Sequence, residues 1–240
     1  MSTIDKGVRR RPRLIVIGAI VLVLIIAGAT TAWLVTGSTT ASTTIGPEGV
    51  VVPNVPNLAP ASTTLNGKTV DGISCRKIAD DKVTYHIHTH VAVYVNGKEM
   101  RLPAGIGITK PQLVEHYAKG PFLDVGLYDC LYWLHTHVAD GIVHVESPSK
   151  GVFTLGELFN VWDQTLSSKQ AGPDKGAVLV YENGKLLTGN PRSTPLLAHA
   201  DIQIDVGQPA VAFQPFAFKV SGGCGQGTLS CSTTTTQSVG

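Results

Sequence analysis

The sequence predicts an α+β protein dominated by β-structure: a compact, barrel- or sandwich-like sheet with two packed helices, preceded by one transmembrane helix. Three observations carry this expectation. Strand-like runs of alternating apolar and polar residues recur through the middle of the chain, Asn-Gly pairs at 96–97 and 183–184 separate such runs as hairpin turns, and only two stretches there carry helical signals.

At the N-terminus, Lys6, Arg9, Arg10, Arg11 and Arg13 precede an unbroken apolar and small-residue stretch from Leu14 to Val35. That stretch is long enough to cross a bilayer, whereas the apolar region of a cleaved signal peptide is usually shorter, and no small-x-small cleavage site follows. Residues 1–13 therefore read as a cytoplasmic basic segment and 14–35 as an uncleaved signal anchor held in the lipid bilayer. The positive-inside rule sends the remainder outside the cell membrane, making the chain single-pass. Residues 36–65 are rich in Ser, Thr, Pro and Gly with almost no charge, the composition of a flexible linker.

The extracytoplasmic globular domain is expected at 66–220. Its strand-like runs are 83–95, 99–102, 130–138, 142–146, 177–181, 202–206 and 210–218. One helix is expected from Thr109 through Pro111 to about Ala118. A second begins at Thr154 with Glu157 three residues later, a capping box, followed by an apolar stripe of Leu155, Leu158, Phe159, Trp162 and Leu166. Residues 221–240, Gly-, Ser- and Thr-rich, lack a core-forming pattern and read as a disordered tail.

Four cysteines, Cys75, Cys130, Cys224 and Cys231, fall on the exported side, where disulfides persist. Pairing 75–130 and 224–231 is the preferred connectivity of three, since Cys75 and Cys130 each precede a histidine strand and the other two flank a short loop.

The histidines carry the chemistry. Six of the eight lie in Tyr85-His86-Ile87-His88-Thr89-His90-Val91 and in Leu134-His135-Thr136-His137 with His144 beyond it, Glu146 following. Alternation puts His86, His88 and His90 on one face of a strand, and likewise His135 and His137. Asp140-Gly141, read as a two-residue type I′ loop, sets His137 opposite His144 and His135 opposite Glu146. Buried histidines without partners are costly, and protonated ones repel; a metal relieves both penalties. His135, His137, His144 and Glu146 are thus candidate ligands for zinc or copper, with His86, His88 and His90 as a second site or the wall of the same cavity. His116 and His199, standing alone, read as ordinary surface or core residues. With methionine only at Met1 and Met100, a blue-copper site is poorly supported.

The formal net charge of +2 divides unevenly: the first thirteen residues hold five Lys or Arg against one acid, leaving 14 basic and 16 acidic residues elsewhere. Nothing there suggests nucleic-acid binding. No Gly-x-Ser-x-Gly nucleophile motif is present, which argues against a serine hydrolase.

His86-Ile87-His88-Thr89-His90, Val95-Asn96-Gly97-Lys98, Pro103-Ala104-Gly105-Ile106-Gly107-Ile108, Cys130 through His137, Gly141 through Ser147 and Phe153 through Phe159, taken together, resemble a family of exported or membrane-anchored bacterial and archaeal proteins without an assigned biochemical activity. The resemblance covers about residues 72–218. It implies a genuine single domain and carries no catalytic residues over.

Three functions follow as expectations. The first is a membrane-anchored extracytoplasmic domain that binds a transition metal through histidines on adjacent strands. The second is a zinc-dependent hydrolase or lyase that activates water on the metal, with the layout, though none of the accompanying motifs, of an alpha carbonic anhydrase. The third is a metal-free, pH-responsive binding module. The sequence names neither a substrate nor an extracytoplasmic partner.

Overall fold

In the computed structural model the described residues are 44–61, 65–77, 82–110, 113–117, 120–124 and 129–218. The expected anchor at 14–35, the basic segment before it, the 221–240 tail, Cys224 and Cys231 lie outside them. Among the described residues, no helix is long and apolar enough to cross a membrane.

In chain order the first strands are β1 (Cys75–Arg76), β2 (Tyr85–Val95), β3 (Lys98–Met100), β4 (Leu113–Tyr117), β5 (Gly120–Asp124), β6 (Leu131–Tyr132), β7 (Leu134–His135) and β8 (Ile142–Ser147). After β9 (Phe153–Thr154) comes the α-helix α1 (Leu155–Val161). It is followed by β10 (Leu166–Ser167), β11 (Gln170–Ala171), β12 (Asp174–Lys175), β13 (Val178–Glu182), β14 (Lys185–Leu186), β15 (Pro195–Leu196) and β16 (Asp201–Val206). The described part is β-dominated α+β.

The principal sheet runs β14-β13-β16-β2-β8-β7, with β3 also paired to β2. Only β16 and β2 run parallel; the other pairings are antiparallel. Among the described residues β7 and β14 do not pair with each other, so the sheet is open and not a closed barrel.

Alternation along the long central strands gives the sheet two unlike faces. Val91, Val93, Val143, Val145, Leu134, Ile202 and Ile204 line the apolar face, packed in one buried cluster with Leu155, Leu158, Phe159 and Trp162. The opposite face carries His86, His88, His90, His135, His144 and Glu146, with Asp201 and Asp205 beside them on β16.

The capping box at Thr154 forms as expected: Glu157 N donates to Thr154 Oγ1 and Thr154 N donates to Glu157 Oε2. Such a cap contributes about 1 kcal/mol. The stripe of Leu155, Leu158, Phe159 and Trp162 is buried, with Leu166 following on β10 instead of continuing the helix. Both Asn-Gly pairs also form their turns, with positive φ at Asn96 and Gly97 and at Asn183 and Gly184, as a type I′ loop requires.

Other expectations are corrected. Residues 113–117 are a strand paired antiparallel with 120–124, not part of the helix expected from Thr109 to about Ala118. Leu113 and Tyr117 sit at a helical spacing, but pairing with the segment after Gly120 satisfies the backbone in another way. The extended run at 210–218 joins no ladder, because β16 is already paired on both edges. It crosses the face of the strand instead, where the side chains of Asp205, Gln203 and Asp201 accept hydrogen bonds from the backbone N–H groups of Val211, Gln214 and Phe216. Residues 44–61, within the stretch read as a linker, pack onto the domain. Leu58 and Ala59 are buried and the Trp162 indole donates to the Pro60 carbonyl.

Candidate metal centre

Strand β8 stands between the two histidine strands. His88 of β2 and His135 of β7 both pair with His144, so three imidazoles form one row across three adjacent strands. The register of β7 against β8 differs by two residues from a two-residue loop at Asp140-Gly141, which would have set His135 opposite Glu146. The reason lies in Asp140, whose Oδ1 accepts the backbone N–H of Ile142. This side-chain turn leaves only Gly141 with positive φ and lengthens the connection. A slip of two preserves side-chain parity, so His135, His144 and Glu146 stay on the predicted face, and His137, beyond the end of β7, still reaches them with its Nε2 3.1 Å from that of His135.

Two groups of donor atoms result, each with all members within 4.8 Å of one another: His135, His137, His144 and Glu146, and His86, His88 and His144. In the first, His135 Nε2 lies 3.1 Å from His137 Nε2 and 3.8 Å from Glu146 Oε1, and His144 Nδ1 lies 3.9 Å from that same oxygen. Ligands 2.0–2.1 Å from a tetrahedral ion stand about 3.3 Å apart, so these separations are close to those of a coordination shell. In the second group, His88 Nε2 is 2.9 Å from His86 Nε2, which is 3.5 Å from His144 Nδ1.

Surrounding groups orient these donors. His135 Nδ1 donates to the Tyr132 carbonyl at 3.0 Å, which leaves its Nε2 as a bare lone pair aimed at His137 and Glu146. Arg76 Nη2 donates to Glu146 Oε2 at 3.0 Å, so Oε1 is the oxygen turned to the histidines. Glu48 Oε1 lies 3.5 Å from His144 Nε2, on the opposite side of that ring from its Nδ1 contacts. Phe122 stacks on His137 with ring centroids 4.6 Å apart.

Burial sets the protonation states. His135, His137 and His144 are held well below the ordinary histidine range, first by desolvation and then by neighbouring imidazoles. His88 is lowered to about 4, by burial and then by His86. All four are therefore neutral at pH 7, the form in which imidazole binds metals. Asp140 moves the other way, raised to about 7 by burial, with Glu48 adding to the effect.

His90 belongs to neither group, although it shares the strand face with His86 and His88. The parallel neighbour β16 places Asp201 beside it, and His90 Nδ1 pairs with Asp201 Oδ1 at 2.9 Å beneath the stacked ring of Phe216. Cys75 and Cys130 are disulfide-bonded, fastening β1 to the start of β6. Arg76, the residue after Cys75, is thereby brought to Glu146.

Arg76 and Glu48 were not among the residues expected at the site. Each had a mark: Arg76 adjoins a cysteine expected to be paired, and Glu48, in Gly46-Pro47-Glu48-Gly49, is the one charged residue between 36 and 65. No protein-family model, curated protein or solved structure matches this chain.

Proposed function

We propose that this chain holds one transition-metal ion, zinc or copper, through His135 Nε2, His137 Nε2, His144 Nδ1 and Glu146 Oε1, in an extracytoplasmic domain tethered to the membrane by residues 14–35. The observation that carries the reading is the convergence of the bare Nε2 of His135 on a second imidazole nitrogen and a carboxylate oxygen, where His135 itself is fully buried. Imidazolium ions would repel one another there and lose hydration, whereas a divalent ion uses every lone pair. Imidazole ligands suit zinc and copper alike, so the donor set does not choose between them.

Four protein donors fill a tetrahedral shell, the arrangement of a centre that holds an ion; a water-activating centre keeps one position open. This favours metal handling or sensing over hydrolysis. The tether and the outward location rest on the arginine-flanked apolar stretch, and the Cys75–Cys130 bond suits an oxidising compartment.

The test is zinc and copper binding to the purified full-length chain carrying no histidine tag, beside a His135→Ala/His137→Ala variant. One equivalent bound tightly by the wild type and lost from the variant supports the centre. Absence of binding, or equal binding by the variant, overturns it.

A further inference from the structure

Resting on that reading, we propose that His88 and His86 form a loading site, from which an ion is handed to His135 and His137 while His144 and Glu146 keep hold of it. The two donor groups are not independent. His144 belongs to both, and its Nε2 faces Glu48, so Nδ1 is the nitrogen that serves either group. Glu146 Oε1 is likewise common ground, 3.3 Å from His86 Nε2 and 3.8 Å from His135 Nε2.

The donors consequently form one unbroken chain. His88 Nε2 stands 2.9 Å from His86 Nε2, and that atom is 3.3 Å from Glu146 Oε1. The carboxylate oxygen is 3.8 Å from His135 Nε2, which is 3.1 Å from His137 Nε2. Every step matches or lies near the edge of a tetrahedral shell, about 3.3 Å, so neighbouring donors can share one ion during an exchange. Accessibility gives the chain a direction. The His86 side chain is 45% exposed, whereas that of His135 is 0% exposed.

In the transfer, the bonds from the ion to His86 and His88 break as bonds to His135 and His137 form. The His144 Nδ1 and Glu146 Oε1 bonds persist, so the ion is never released to water. No proton need move at His135, because its Nε2 is already bare. A single ion cannot use all six groups at once. Shared donors therefore make the outer group a stage on the path and not a second store.

Such a path has a kinetic signature: it changes the rates of loading and release together and leaves the equilibrium unaltered. The experiment follows zinc capture by the untagged full-length chain, and zinc release to a chromophoric chelator, by stopped flow. It compares wild type with His86→Ala/His88→Ala, and with His90→Ala as a control on the same strand. The double variant is expected to slow both rates about tenfold or more, keep one equivalent of zinc and keep its Kd within about threefold of wild type, with His90→Ala unchanged in both rates.

Unchanged rates in the double variant overturn the relay while leaving the buried centre standing. Lost affinity with faster release also overturns it, by making His86 and His88 permanent ligands. Two equivalents bound by the wild type overturn it too, as two stores filled together. Failure of the wild type to bind any ion overturns the centre itself and the relay with it.

Discussion

Arg76 donates to one oxygen of Glu146 and leaves the other facing three imidazoles: Oε2 is 3.0 Å from the guanidinium, while Oε1 is within 3.9 Å of His86, His135 and His144. The ion pair fixes which oxygen can bind a metal. Arg76→Gln keeps a hydrogen-bond donor of shorter reach and removes the charge, so the carboxylate loses its orientation. Metal affinity is expected to fall about 10–100-fold, the usual effect of removing a group that orients a ligand. Competition titration against a chelator of known affinity measures it, and undiminished affinity would show that Arg76 does not position Glu146.

The disulfide joins residues 55 apart in sequence and holds the strand that carries Arg76. By the chain-entropy account, a closed loop of that length contributes about 4 kcal/mol. Cys75→Ser/Cys130→Ser should lower unfolding free energy by roughly that amount in urea, and should weaken metal binding as well, because β1 loses its covalent fastening. A loss of stability with affinity intact would separate the bridge from the centre.

Acid should destabilise the metal-free chain. Unfolded histidines take up protons near pH 6.5, whereas His88 does so only at about 4 when folded, and His135, His137 and His144 well below their ordinary value. Below pH 6.5 the unfolded state thus binds more protons at these four positions, and stability falls as pH drops. Asp140, raised from 3.8 to about 7, acts in the opposite sense between those values, since there the folded state keeps the extra proton. Four groups outweigh one, and the expected net loss between pH 7 and 5 is on the order of several kcal/mol. Urea titrations at pH 5, 6 and 7 check this, and stability that is flat or rises toward acid would contradict it.

Gly141 tests the packing behind His90. A Cβ there would lie 2.7 Å from His90 Nε2 and 3.0 Å from the Val91 carbonyl, at a φ of +86°. Gly141→Ala combines that clash with a backbone conformation unfavourable to any L side chain, and is expected to cost about 1–3 kcal/mol in thermal or urea unfolding. A neutral substitution would mean that the loop between β7 and β8 moves freely.

What was legible in the sequence was what alternation and local turn chemistry dictate. Asn96-Gly97 and Asn183-Gly184 form their predicted turns because both residues of each pair adopt positive φ. Asp140-Gly141 does not, because the Asp140 side chain takes the Ile142 N–H, a choice made by a single hydrogen bond. The ligand face survived that error because the resulting slip was two residues. Pairing partners distant in sequence were not legible: β8 lies between the two histidine strands, the 113–117 segment finds a strand partner, and Asp201 diverts His90. Glu48 and Arg76 reach the centre only through the folded 44–61 segment and the disulfide-fastened strand, neither of which has a local periodicity to betray it.

The most direct test of the central claim is X-ray absorption spectroscopy of the untagged full-length chain loaded with one equivalent of zinc. A four-coordinate ion with three imidazole nitrogens and one carboxylate oxygen at about 2.0–2.2 Å is expected, with the imidazole scattering lost in His135→Ala/His137→Ala/His144→Ala, which removes the shared His144 and so breaks both donor groups. A six-coordinate, water-rich shell, or imidazole scattering that persists in the variant, would contradict the claim.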